Sequence, residues 1–128
     1  MISLPHPVRV FLHTPSTDLR KGFDALSGLV TTAFSQDPTS GHLFLFVNRR
    51  RDRLKILYWD RDGLAIWYKR LEKGSFQLPA VARGAVAIEM TPIQLSLILS
   101  GIDLSSARQR KRYQRPTSAT EKSVSSLL

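Results

Sequence analysis

Hydrophobic and polar positions alternate most clearly in the middle of the chain, over residues 41–74. Three short runs rich in branched and aromatic residues are separated there by two polar turns, which is typical of antiparallel strands joined as a meander. The second turn contains Asp62-Gly63, and glycine tolerates the positive φ that a tight hairpin requires. The first turn, residues 48–52, is longer and contains three consecutive arginines.

Apolar side chains are predicted on both faces of this sheet. Alternation along the second run places Leu54 and Ile56 on one face, and Leu57 and Trp59 on the other. We therefore expect a helix to cover one face, and a partial cover or a partner protein to lie on the other.

Weaker patterns outside the meander predict additional strands. Residues 8–13 alternate imperfectly and suit a strand. Residues 74–83 suggest a short strand followed by a loop, and residues 85–89 suggest an edge strand.

The first of two predicted helices covers residues 18–34. Leu19, Phe23, Leu26 and Val30 recur at spacings of four, three and four, which places them on one helical face.

The second predicted helix has a clear start and end. Thr91 can cap it, Pro92 suits its first position, and Gln94 can complete a capping box. The helix is predicted over residues 93–100, with Gly101 as its stop.

Length and composition indicate one small domain without disulfides. The chain has 128 residues and no cysteine, and no apolar run approaches the roughly 20 residues of a membrane span. The N-terminus lacks the pattern of a signal peptide, so a cytoplasmic location is the default expectation. The predicted fold class is α+β: an antiparallel meander sheet of four to six strands with two helices.

Positive charge is the outstanding property of the composition. Nineteen Lys and Arg against ten Asp and Glu give a formal net charge of +9. A domain this basic usually meets a polyanion, most often nucleic acid. Residues 105–128 have six basic and one acidic side chain. We predict a folded domain over residues 1–104, and a basic, Ser-rich tail over 105–128 that is disordered when free.

Several blocks of the sequence resemble a known family. Residues 17–24, Thr-Asp-Leu-Arg-Lys-Gly-Phe-Asp, are similar to a family segment TDMRKGFDGL, with leucine where methionine is common. Similar blocks follow in family order at residues 37–46, 48–59, 60–74 and 91–103. The family is the TnpB-type accessory protein, the second open reading frame of bacterial insertion sequence family sixty-six. The resemblance covers residues 8–104 and implies a role in transposition beside a separate transposase, without a defined chemistry.

Basic residues of the meander are the principal candidate site. Guanidinium groups on a protruding hairpin can fork onto phosphate oxygens of DNA. The alternative is a solvated turn whose charges discourage edge pairing. The candidates are Arg49, Arg50, Arg51, Arg53, Lys55, Lys69 and Arg70.

The tail offers a second basic candidate, either an arm that adds phosphate contacts or a segment without a role. Its candidate residues are Arg108, Arg110, Lys111 and Arg112. Two other basic residues, Arg20 and Lys21, are predicted in the first helical turn. Basic side chains there oppose the helix dipole, which hints at a functional use, while a salt bridge from Arg20 to Asp24 is the alternative explanation.

Aromatic and acidic side chains give weaker signals. Trp59 and Trp67 could stack on bases, although strand tryptophans are more often core residues. Asp60 and Asp62 could hold Mg²⁺ if a further carboxylate such as Asp18 or Glu72 converged on them, although turn aspartates are the commoner explanation.

These observations favour a non-catalytic accessory protein that binds DNA and acts beside the transposase. The alternative is an adaptor that binds or stabilises the transposase without contacting DNA. We expect no cofactor, because the histidines lack metal-ligand spacing and the chain has no phosphate-binding glycine loop.

Overall fold

A computed structural model describes residues 7–81 and 83–101 of the chain. Its elements are β1 (Val10–His13), α1 (Phe23–Ala33), β2 (Leu43–Val47), β3 (Arg53–Asp60), β4 (Gly63–Arg70), β5 (Ala87–Met90) and α2 (Pro92–Ser100). The predicted α+β class, with a meander and two helices, is confirmed. The predicted tail, residues 105–128, lies outside the described part.

The five strands form one sheet in the order β4-β3-β2-β1-β5. The meander β2-β3-β4 is antiparallel, as predicted, and β5 is antiparallel to β1 at the other edge. However, β1 and β2 run parallel, and α1 provides the crossover that a parallel pair requires. Periodicity within a strand does not report the direction of its neighbour, so the sequence analysis missed this pair.

Each face of the sheet is covered by one helix. On the α1 face, Leu26 and Val30 pack with Phe44 of β2. On the opposite face, Ile98 of α2 packs with Leu12 and Ile56. The face for which a partial cover or a partner was predicted is thus covered, among the described residues, by the nine-residue helix α2 and by Phe76.

Helix α1 begins five residues later than predicted. The carboxylate of Asp18 accepts a hydrogen bond from the backbone N–H of Arg20, and the Asp18 carbonyl accepts one from Lys21. This turn competes with helix formation. Gly22, in an extended conformation, is the N-cap, and it provides no capping side chain.

The late start changes the predicted apolar face of α1. Leu26 and Val30 are buried as expected, and Leu19 is buried from the preceding turn. Phe23 is 48% exposed, so its predicted place on the buried face is wrong.

Helix α2 confirms the predicted capping signals. The Thr91 hydroxyl accepts from the Gln94 N–H, and the Gln94 side chain accepts from the Thr91 N–H. Gly101 ends the helix at φ 82°, in the left-handed region that glycine adopts freely.

Three details of the strand prediction need correction. No strand occurs in the described residues of 74–83, although Phe76 from this segment is fully buried. The β3–β4 turn consists of Arg61 and Asp62, and Arg61 has the positive φ of 60°. Gly63 instead pairs with Asp60 as the first residue of β4.

Candidate nucleic-acid interface

The arginine loop, residues 48–53, joins β2 to β3 and is organised by one amide. The Asn48 side-chain oxygen accepts from the backbone N–H groups of Asp52, at 3.1 Å, and Arg53, at 3.0 Å. The Asn48 side-chain nitrogen donates to the Asp52 carboxylate at 2.7 Å. Arg51 adopts a φ of 61° at the tip of this closed turn.

Backbone hydrogen bonds attach the arginine loop to the rest of the domain. The Leu71 N–H donates to the Asp52 carbonyl at 2.7 Å, and the Phe76 N–H donates to the Arg51 carbonyl at 2.7 Å. Both Leu71 and Phe76 are buried in the core on the α2 face. The backbone of the loop is therefore tied to the core, which fixes the positions from which the arginine side chains extend.

Its four arginine side chains face solvent. Arg49, Arg50, Arg51 and Arg53 are all exposed. Within residues 7–81 and 83–101, none of the four forms an ion pair with a carboxylate. Among the described residues, no carboxylate therefore holds these guanidinium groups in a direct ion pair, and they can contact an anionic partner.

The arginines point to two sides of the loop. Arg50 and Arg53 line a cleft of about 360 Å³, together with residues 17–20 and Tyr68. Arg49 and Arg51 line a smaller depression of about 90 Å³ on the side of Leu78.

Residues 17–20 form one wall of the larger cleft. The Thr17 N–H donates to the Val47 carbonyl at 2.8 Å, which fixes this segment beside the arginine loop. The Arg20 guanidinium donates to both carboxylate oxygens of Asp18, and these bonds hold the pKa of Asp18 well below its usual range. The alternative explanation of Arg20, a salt bridge to Asp24, is wrong in its partner, because Arg20 pairs with Asp18 instead.

The meander contributes basic and aromatic groups to the same side. Lys55 pairs across β3 and β4 with Tyr68, and its ammonium lies 4.9 Å from the centre of the Tyr68 ring. The same ammonium donates to the Lys21 carbonyl at 3.0 Å. Tyr68 is 48% exposed. The Lys55 ammonium thus contacts the ring, while Tyr68 as a whole remains nearly half exposed.

The remaining candidates of the meander are placed differently. Arg70 pairs with Arg53 across the strands and forms an ion pair with Glu72 at 3.0 Å. Lys69 pairs with Leu54, a core residue on the α2 face, so it lies on the face opposite Lys55. The structure therefore does not group Lys69 with the cleft residues.

The two tryptophans are half-buried. Trp67 packs against the core on the α2 face. The Trp59 indole N–H donates to the Arg61 carbonyl at 3.1 Å, near the β3–β4 turn.

The acidic candidates do not converge. Asp60 and Asp62 lie at the β3–β4 turn, whereas Asp18 and Glu72 lie near the opposite end of these eight-residue strands. An eight-residue strand spans roughly 25 Å. Within the described ranges, no three His, Cys, Asp or Glu side chains could hold a metal ion together.

Sequence reasoning missed Tyr68 and the juxtaposition of residues 17–20 with the arginine loop. A tyrosine within a strand gives no sign of its exposure. The Asp18-x-Arg20 spacing is compatible with both a helical turn and the observed turn. The tail candidates Arg108, Arg110, Lys111 and Arg112 lie outside the described residues.

Comparison with known proteins identifies the family. The family described as IS66 Orf2 like protein matches residues 8–109, and the chain belongs to this family. Its proteins are accessory proteins of insertion-sequence transposition and are not known enzymes.

Two relatives come from Sinorhizobium fredii (strain NBRC 101917 / NGR234). Uncharacterized protein y4jC is 38% identical over 117 residues, which cover 91% of this chain and 97% of the relative. Uncharacterized protein y4hO is 40% identical over 110 residues, which cover 86% of this chain and 91% of the relative. No solved structure matches the chain. In the part of the chain that the structure describes, neither helix is long and apolar enough to cross a membrane.

Proposed function

We propose that this protein is a non-catalytic accessory factor of transposition that binds DNA, chiefly through phosphates, and acts beside the transposase of its element. The observation that carries the proposal is the arginine loop. Its four exposed guanidinium groups lack local carboxylate partners within residues 7–81 and 83–101, on a loop that backbone hydrogen bonds tie to the core.

Arginine on a pre-organised loop suits phosphate binding for two reasons. Its planar guanidinium can donate two parallel hydrogen bonds to phosphate oxygens. A loop that is already ordered loses little conformational entropy when DNA binds. Lys55 lies on the same face of the sheet as Tyr68, which lines the cleft, and adds positive charge there.

Duplex DNA binding across a salt series tests the proposal. We expect affinity to fall steeply with salt, with a log–log slope of about 0.9 for each phosphate that the protein neutralises. The double substitutions R49Q/R51Q and R50Q/R53Q should each weaken binding and make the slope shallower, because fewer phosphates are then neutralised. Fluorescence anisotropy with a labelled duplex measures both quantities.

The control is R9Q/R61Q, which removes the same net charge from the opposite end of the sheet and also breaks the ion pair between Arg9 and Glu89. Arg9 precedes β1, and Arg61 lies in the β3–β4 turn. If this control lowers the slope as much as the loop variants do, binding follows net charge and the loop is not the site. If the wild-type protein does not bind DNA at moderate salt, the proposal fails.

The alternative function, a transposase adaptor without DNA contact, has one observation in its favour. Ile93, in the first turn of α2, is 72% exposed. An adaptor should co-purify with the transposase at high salt, and Ile93→Ser should weaken that association without affecting duplex DNA binding.

A further inference from the structure

The cleft beside the arginine loop contains groups that a site for phosphates alone does not need. Arg50 and Arg53 can hold a phosphate, but Asp52 and Asn48 line the same space, and Tyr68 adds an exposed aromatic ring. Carboxylates repel a phosphodiester backbone. An amide, a carboxylate and an aromatic face are instead the groups that recognise the edge and the face of a base.

The hydrogen bonds inside the loop do not use every acceptor of the Asp52 carboxylate, so this group can also bind the edge of a base. The Asn48 side chain donates to one carboxylate oxygen of Asp52. The second carboxylate oxygen can accept a hydrogen bond from an amino or imino group of a base. The Lys55 ammonium lies 4.9 Å from the centre of the Tyr68 ring, and this cation–π contact favours the observed orientation of the ring before a base arrives.

The cleft has room for one nucleotide unit. It is open to solvent, and its volume is about 360 Å³. Within a duplex, the face of each base is covered by its neighbours. A base can reach Tyr68 only when it is unpaired and turned out of the stack.

We propose that this cleft binds one unpaired nucleotide of a DNA strand, with its phosphate on Arg50 and Arg53 and its base against Tyr68. This rests on the proposed function, because the arginine loop must first bring DNA to the cleft. The preferred ligand is then DNA that contains a single-stranded gap or end.

The test compares two labelled DNAs with the full-length protein at one salt concentration. One is a blunt 30-base-pair duplex, and the other is the same duplex with a three-nucleotide gap in one strand. We expect the gapped DNA to bind about tenfold more tightly, within the range that one stacked base contributes.

Substitutions of Tyr68 separate stacking from packing. Tyr68→Phe keeps the aromatic face and should retain the preference for gapped DNA. Tyr68→Leu keeps an apolar side chain beside Lys55 but removes the face, so it should bind both DNAs with the affinity of wild type for the blunt duplex. Thermal unfolding monitors whether each variant is folded.

The outcomes distinguish this inference from the proposed function. Equal affinity of the wild-type protein for both DNAs overturns the nucleotide site and leaves salt-dependent duplex binding intact. An undiminished preference in Tyr68→Leu also overturns it. Tighter binding to single-stranded RNA of the gap sequence than to gapped DNA contradicts the choice of DNA. Absence of binding to every DNA overturns both proposals.

Discussion

At the scale of single residues, the conformation of the arginine loop depends on Asn48, which carries no charge. Asn48 makes three hydrogen bonds within the arginine loop. Its oxygen accepts hydrogen bonds from the backbone N–H groups of Asp52 and Arg53, which without it would need water as the acceptor. The sequence identified the arginines from their charge, but charge alone does not show which neutral residue orders them.

Asn48→Ala should therefore destabilise the protein. Each hydrogen bond contributes about 1 kcal/mol net, and solvent can replace part of this contribution, so we expect the free energy of unfolding to fall by about 1–2 kcal/mol. Urea denaturation measures it. Gln77→Ala is the control, since the Gln77 amide donates only to the nearby Ser75 hydroxyl in the described structure and should contribute much less. Equal stability of Asn48→Ala and wild type would show that the loop is ordered by other interactions.

His13 makes stability depend on pH. Its ring packs against the rings of Phe34 and Phe46, with Nδ1 3.1 Å from the Thr17 hydroxyl oxygen, and burial lowers its pKa. The unfolded chain then binds the proton more readily than the folded chain. Stability is thus complete above the ordinary histidine pKa of about 6.5 and decreases as pH falls through and below it.

Unfolding free energies at pH 7.5 and 5.5 test this prediction. Wild type should be less stable at pH 5.5, and His13→Gln should show a smaller difference between the two values. The lowered pKa values of Asp18 and Glu89 also reduce stability as pH falls, but only below the ordinary carboxyl range near pH 4. An identical pH dependence in His13→Gln would exclude His13 as the cause.

At the scale of elements, the two helices differ in how much of their boundaries the sequence specifies. The capping box of α2 is local, so Thr91 and Gln94 predict its start within one residue. The start of α1 depends on whether Asp18 bonds to its own backbone in a turn or begins a helix. Leu19 does not distinguish the two possibilities, because its side chain is buried in the observed turn and would also be buried in a helix that began at Asp18.

Thr91→Ala measures the contribution of the α2 cap. The substitution removes the hydroxyl that accepts from Gln94, and loss of an N-cap costs about 1 kcal/mol. We expect this decrease in the free energy of unfolding by urea. Thr32→Ala is the matched control on α1: its exposed hydroxyl donates to the Gly28 carbonyl, and its removal should change stability little. A cost for Thr91→Ala no larger than that of the control would contradict the role of the cap.

At the scale of the whole molecule, the parallel pairing of β1 with β2 assembles the interface. Because the strands are parallel, the segments that follow them emerge at the same end of the sheet. Residues 14–22 and the arginine loop are thereby brought together, as the hydrogen bond from Thr17 to Val47 shows. The pairing joins Val10 to Leu43, which are far apart in sequence, so the meander was predictable and the cleft was not.

The basic tail provides the last prediction, which concerns how the whole chain divides its phosphate binding between two regions. Substituting Arg108, Arg110, Lys111 and Arg112 by glutamine removes four charges outside the described residues, while R50Q/R53Q removes two from the loop. If both regions bind phosphates at the same time, the salt slope should fall by about 0.9 for each phosphate that is no longer neutralised, and the effects should add when the variants are combined. Anisotropy titrations of the full-length variants against one duplex measure the slopes. A tail variant with the wild-type slope would show that these four tail residues bind no phosphate, whereas a loop variant with the wild-type slope would show the same of Arg50 and Arg53.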